Sequence, residues 1–272
     1  MLMSSLSHLE RDTQITETGA GRWSTRLSSA WNIGANPNGG YLILPMLRAM
    51  STLVDKPDPI TVTTHYLRPG LSEADAEIRA ELVKPGRLYS SLRGSMHQDG
   101  KTRYESLVAF ADLDASSGPA VDLSIPAPDM PPPAECIMRS GDDQGVALPL
   151  LSRAEMRLHP DFANAGSLAE PVIDGWVRFA DGTEPTTMSL PFFADCCPPS
   201  IFATHGRVGW VPTLELTVHV RRRPAPGWLQ IRNRTEDSQG GRIIETGCIW
   251  DSEGTLVAQM RQIGLLLDPQ GQ

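Results

Sequence analysis

The second half of this chain repeats the polar–apolar plan of the first, and that repeat limits what the chain can fold into. Thr64-His65-Tyr66-Leu67-Arg68-Pro69 opens a run through Ala76–Val83 and Leu88–Gln98, a turn at Asp99-Gly100, and Tyr104–Leu113. Val218-His219-Val220-Arg221-Arg222-Arg223-Pro224 opens the matching run: Trp228–Arg234, Arg242–Asp251, a turn at Glu253-Gly254, and Leu256–Leu267. Gly100 and Gly254 stand 154 residues apart, and the same spacing carries His65 onto His219 and Arg68 onto Arg222. The prolines slip by a single position. Two fused modules of roughly 100 residues each are expected, each large enough for its own core. Their bounds read as 22–115 and 148–268, joined by a Pro-rich connector over 116–147.

Within each module the order is a strand, a helix and four strands. Asn36-Pro37-Asn38-Gly39-Gly40 is a strong turn cluster, and Tyr41, Leu44, Leu47 and Arg48 then recur at helical spacing. A helix therefore starts at or just after the glycines, with Pro45 marking a kink or a later start. Ile60–Leu67 and the runs after it are short, alternating and separated by turns, as antiparallel strands are. The second module repeats this with a strand at Gly175–Phe179, a helix over Pro185–Cys197 in which Pro191 is a difficulty, and strands from Thr213 onward. The fold class is α+β: two tandem modules, each a curved antiparallel sheet wrapped around a long central helix.

The net charge of −8 argues against nucleic acid as a partner. Arg221-Arg222-Arg223 is the tight basic run; it is either a solvated strand end or a contact for an anionic, phosphate-bearing carrier. Cys136, Cys196, Cys197 and Cys248 lack zinc-site or disulfide spacing and read as small buried hydrophobes, a reactive thiol being the alternative. No metal and no cofactor are expected. Met1–Ala20 lacks a signal-peptide pattern, and Arg48 interrupts the most apolar stretch, Tyr41–Val54, which is too short to span a bilayer. A cytoplasmic protein without stable membrane insertion is expected. GxSxG, HExxH, P-loop and GxGxxG motifs are all missing, which lowers the odds of a serine hydrolase, a zinc protease or a nucleotide enzyme.

Chemistry is sought where a polar residue interrupts an apolar face. Leu256, Ala258, Met260, Gln262 and Gly264 share one face of the last strand, and Gln262 is the odd member. Its counterpart in the first copy is Val108. Met188, Phe192 and Asp195 fall on one helical stripe that ends in a carboxylate, and the same spacing sets Asp195 against Tyr41. Thr213 opens its strand opposite Pro59. Each has an ordinary reading as a satisfied core amide, a helix-end charge or a strand-start hydroxyl. Together they supply the groups that hold and polarise a water molecule. Gly39 and Gly40 add backbone N–H groups at a helix N-terminus, able to stabilise an oxyanion or merely to start the helix.

Pro37-Asn38-Gly39-Gly40-Tyr41, His65-Tyr66-Leu67-Arg68-Pro69-Gly70, Asp195 before Pro198-Pro199-Ser200, Thr213-Leu214-Glu215, and Gly254-Thr255-Leu256-Val257-Ala258 leading to Gln262 occur in that order. In these the chain resembles the acyl-CoA thioesterase II group, looking closest to its actinobacterial branch. The resemblance implies a double hotdog fold and hydrolysis of acyl-CoA to free acid and coenzyme A. It further implies a water bound by Asp195, Thr213 and Gln262, and a homo-oligomer paired through exposed sheet edges. Gly39 and Gly40 would polarise the thioester carbonyl, and Tyr41 and Phe192 would line the acyl channel. A non-catalytic acyl-CoA-binding or structural protein on the same fold is the alternative, separable by whether the three polar residues can share one water.

Overall fold

The computed structural model describes residues 6–115, 121–141, 146–206 and 211–267. Parts of the expected connector, 116–120 and 142–145, lie outside the described residues, as do 1–5 and the final position, 268, of the expected second module. The elements in chain order are α1 (His8–Asp12), β1 (Thr16–Gly19), β2 (Arg22–Arg26), β3 (Asn32–Ile33), β4 (Asn36–Pro37), α2 (Gly39–Ser51), β5 (Asp58–Tyr66), β6 (Asp75–Lys84), β7 (Tyr89–Gln98) and β8 (Lys101–Ala111). They continue with β9 (Ile137–Met138), β10 (Ala154–Leu158), β11 (Val172–Phe179), α3 (Leu190–Asp195), α4 (Phe202–His205), β12 (Thr213–Val220), β13 (Leu229–Gln239), β14 (Arg242–Trp250) and β15 (Leu256–Leu265).

Thirteen strands form one antiparallel sheet in the order β1-β2-β6-β7-β8-β5-β12-β15-β14-β13-β11-β10-β9. Its centre is the β5–β12 seam, where the two copies meet strand to strand. Thr217 pairs with Thr63, its own counterpart 154 residues earlier, and their hydroxyls bond at 3.0 Å. A pseudo-two-fold axis therefore passes through this pair. The registers on either side agree: Val62 faces Val108 and Leu216 faces Gln262, which fixes Val108 and Gln262 as equivalent positions. Pro59 and Thr213 are equivalent by the same test, and each sits at a bulge, before Thr61 and before Glu215.

The two copies differ most in their helices. In the first, α2 runs for 13 residues straight through Pro45, with ten buried positions packed on β5, β6 and β7. In the second, the helix expected over Pro185–Cys197 is only the six-residue α3. Pro191 sits in its first turn, where a missing N–H costs nothing, so it starts the helix rather than disturbing it. Among its described residues the second module thus has no long central helix. Where α2 and α3 meet, Trp31 stacks on Tyr41 at 4.9 Å and meets Phe192 edge-on, while Phe179 packs against Phe192 and Phe193. This aromatic cluster belongs to the main hydrophobic core.

The connector is more structured than its prolines imply. Within 121–141, β9 joins the sheet edge, and the carbonyls of Ile125, Pro128 and Pro131 accept from Trp250 Nε1, Gln230 Nε2 and Trp176 Nε1. The basic run is a solvated strand end, all three arginines being exposed, and two of them are held by carboxylates of this chain. Arg222 pairs with Asp122, and Arg223 pairs with Asp58, Asp112 and Asp114. All four cysteines are free; Cys136 and Cys196 are buried, Cys197 and Cys248 half-buried. Among the described residues no helix is long and apolar enough to cross a membrane.

Candidate active site

Because α3 is short, the inner face of the second half-sheet is left partly uncovered beside the seam. The result is a cavity of about 540 Å³. Its wall takes residues from the start of α2, the stretch after β5, the end of α3, α4, the starts of β12 and β14, and the end of β15. Asp195, Thr213, Gln262 and Gly39 all line it. Tyr41 and Phe192, expected to line an acyl channel, do not. Both are fully buried in the aromatic cluster, and the Tyr41 hydroxyl accepts from the Ser28 N–H and donates to the Asp12 carbonyl. Leu42, Ala194, Phe202, Ile243 and Leu265 supply apolar wall instead.

Asp195 ends α3 and points at the N-terminus of α2. Its Oδ2 accepts from the Gly40 N–H at 2.9 Å and from Asn38 Nδ2 at 2.9 Å. Asn38 is a double-sided residue: its Oδ1 caps α2 by accepting from the Tyr41 N–H, and its Nδ2 also holds the Asp195 carbonyl. Burial pushes the Asp195 carboxyl up to about 6, the nearby Glu245 adding to the rise, while the Gly40, Gly39 and Asn38 donors oppose it. The helix end therefore serves the acid. The Gly40 amide, expected to face a thioester carbonyl, is already engaged by Asp195.

Thr213 donates to Gln262 Oε1 at 2.8 Å, and Gln262 Nε2 donates to Glu245 Oε1 at 2.7 Å. Strict alternation from Leu216, Val218 and Val220 would turn Thr213 away from Gln262; the bulge before Glu215 turns it back. Glu245 is a site residue the sequence reading missed. It is almost wholly buried, its Oε2 accepts from both the N–H and the hydroxyl of Ser200, and burial raises its carboxyl above the ordinary range. Its counterpart across the β7–β8 and β14–β15 registers is Leu92, so an acid again replaces a hydrocarbon. The signal was present: Ile243, Glu245, Gly247 and Ile249 share one strand face. Both Glu245 oxygens accept, so Glu245→Gln brings an NH2 group against a donor. The expected outcome is a loss of about 1–3 kcal/mol in urea unfolding, with reduced turnover because Gln262 is no longer held. Unchanged stability would mean that Glu245 is protonated and itself a donor.

The chain matches two sequence families, the acyl-CoA thioesterase N-terminal domain over residues 27–113 and the acyl-CoA thioesterase C-terminal domain over 126–266. The chain belongs to the acyl-CoA thioesterase family. Within it, the chain groups with thioesterase II proteins. A candidate thioesterase II from Thermobifida fusca YX shares 27% identity and superposes with a TM-score of 0.86, over 96% of this chain and 98% of that one. The acyl-CoA thioesterase II TesB2 of Mycobacterium marinum has the same fold at 18% identity, with a TM-score of 0.74 over 97% and 100% of the two chains. The thioesterase-like protein TwmA of Talaromyces wortmannii is 24% identical, covering 94% of this chain and 90% of its own. A protein of Alicyclobacillus acidocaldarius with a hotdog fold superposes with a TM-score of 0.85. The largely antiparallel sheet with few helices fits a double hotdog, and this family member has its largely apolar cavity beside the seam between the two halves.

Proposed function

We propose that this family member hydrolyses acyl-CoA thioesters, using a water molecule activated by Asp195. The observation that carries the reading is a half-buried carboxyl with a pKa near 6, sharing one apolar cavity with the bonded Thr213–Gln262 pair. At neutral pH the carboxylate is ionised yet basic enough to take a proton. Gln262 has one N–H beyond the bond to Glu245, and Thr213 has free lone pairs, so the two can orient a water toward Asp195. The water oxygen attacks the thioester carbon as Asp195 takes its proton. Collapse of the tetrahedral intermediate breaks the C–S bond, and the proton on Asp195 goes to the departing CoA thiolate. The acid and the thiol leave, and the carboxylate is restored.

Free-thiol release across short, medium, long and aromatic acyl-CoAs tests the reading; no release above buffer with any of them overturns it. The pH dependence is a separate check. Asp195 acts only when ionised, so kcat/KM rises with pH through about 6 and levels off above. A limb centred near the ordinary aspartate value would mean that another group, or an undisturbed carboxyl, is the base.

A further inference from the structure

We propose that Tyr66 donates, through its phenolic O–H, the hydrogen bond that holds and polarises the thioester carbonyl oxygen of the substrate. The proposal rests on the thioesterase reading and assigns the group it lacks. With the Gly40 N–H and the Asn38 amide given over to Asp195, α2 has little left to offer a developing oxyanion.

Tyr66 ends β5, lines the cavity, and its Oη is buried without any hydrogen-bond partner. That is costly, because a hydroxyl stripped of water has lost its hydrogen bonds without replacing them. The neighbouring tyrosines show the usual outcome: Tyr104, packed edge-on against Tyr66, donates to the Leu42 carbonyl at 2.8 Å, and the Tyr41 hydroxyl makes two bonds. An orphan hydroxyl on a cavity wall is aimed at something that arrives later.

Its position says what arrives. A point one Cβ bond out from the Gly39 α-carbon lies 3.0 Å from Tyr66 Oη and 3.0 Å from Asp195 Oδ2. The two oxygens flank one small space, at most twice that distance apart, and do not bond to each other. The lack of a side chain at Gly39 keeps the space open. It has the base on one side and a hydrogen-bond donor on the other, as attack of water on a carbonyl needs. Among the described residues the other orphan atom on the cavity wall, Asn233 Oδ1, is an acceptor and cannot serve an oxyanion. Burial and the nearby Asp195 charge hold the Tyr66 phenol well above its ordinary value, so it remains a donor throughout. As water attacks, the carbonyl π pair moves onto oxygen and is held by the Tyr66 O–H without proton transfer. The second copy has Val220 at the matching place, so each half contributes what the other lacks.

Tyr66→Phe is the test. With the best substrate, kcat is expected to fall about 10²–10³-fold while KM changes little and the pH limb near 6 stays. The thermal midpoint is expected to hold or rise, because the hydroxyl removed has no partner. Wild-type turnover, or a lowered midpoint marking a structural hydroxyl, overturns the proposal. A binding arm is independent of turnover: 2-oxooctyl-CoA carries a ketone near the thioester carbonyl position, and octyl-CoA carries none. Wild type is expected to prefer the ketone, and Tyr66→Phe to bind the two alike. If wild type hydrolyses nothing yet shows this preference, the thioesterase reading fails and the Tyr66 assignment survives. Absence of the preference, or its persistence in Tyr66→Phe, overturns the assignment.

Discussion

Asp195→Asn is expected to cut thiol release by orders of magnitude and, at neutral pH, to make the protein harder to unfold. The carboxyl titrates near 6 in the folded state against an ordinary aspartate value of 3.8. The native state therefore holds this proton more tightly than the unfolded chain does. Its contribution to stability is full below about pH 4, declines as pH rises to about 6, and is gone above that. At pH 7 the ionised, desolvated carboxylate costs at most about 3 kcal/mol. Asparagine carries no charge, and its amide oxygen can still accept from Gly40 and Asn38. Urea unfolding is expected to show a gain of about 1–3 kcal/mol at pH 7 that shrinks toward pH 4. Turnover falls about 10²–10⁴-fold or more, the usual worth of a general base. A less stable variant would mean that the charge holds the α2–α3 contact together. A variant with retained activity would remove Asp195 from the mechanism.

Gly40→Ala is expected to disrupt the contact between the two helices. In an isolated helix this change stabilises by about 1 kcal/mol. Here a Cβ on residue 40 would stand 2.6 Å from the Pro191 carbonyl oxygen and 2.8 Å from the Phe192 α-carbon, both of them backbone atoms of α3. No rotamer change relieves such a contact, so the two helices must part. The expected cost is about 3 kcal/mol, read as a lower urea midpoint. Activity falls further than stability alone explains, because the Gly40 N–H is drawn away from Asp195. An alanine variant as stable as wild type would show that the helix contact slides freely.

Much of the sheet was legible because its strands alternate cleanly. Thr213–Val220 and Arg242–Trp250 run as the pattern predicts, and the register puts Val108 opposite Gln262's role as expected. Three things were not legible, each for a physical reason. The face of Thr213 depends on a bulge, and a one-residue insertion in a ladder leaves no mark in hydrophobic periodicity. The length of α3 is set by Pro191 starting it and by tertiary packing beyond it. The spacing that aligns the strands also does not carry through the helices: Trp23 and Gly175 align through β6 and β13 at a shorter interval, so pairing Asp195 with Tyr41 was not secured by the repeat. The conclusion drawn from that pair survives on other grounds, since α2 contains no acid anywhere. Tyr66 escaped notice because a tyrosine on an inward face looks like core. Only the missing partner of its hydroxyl distinguishes it from Tyr104.

The β5–β12 seam also sets a timetable for the molecule during synthesis. Strands β1, β2 and β5–β8 are complete once Ala111 has emerged, and they form one unbroken half of the sheet. β5 is then its outer edge, and the partner strand begins only at Thr213. At ordinary elongation rates of about 5–20 residues per second, that edge waits roughly 5–20 s before β12 can close it. An edge rich in alternating apolar residues is a template for a second nascent chain. Chaperone demand should concentrate in that interval, and circular permutants that bring β12 out immediately after β5 should shorten it. The same closure brings Tyr66 up to Asp195 and Thr213, so the cavity comes into being only after both halves have been made and joined.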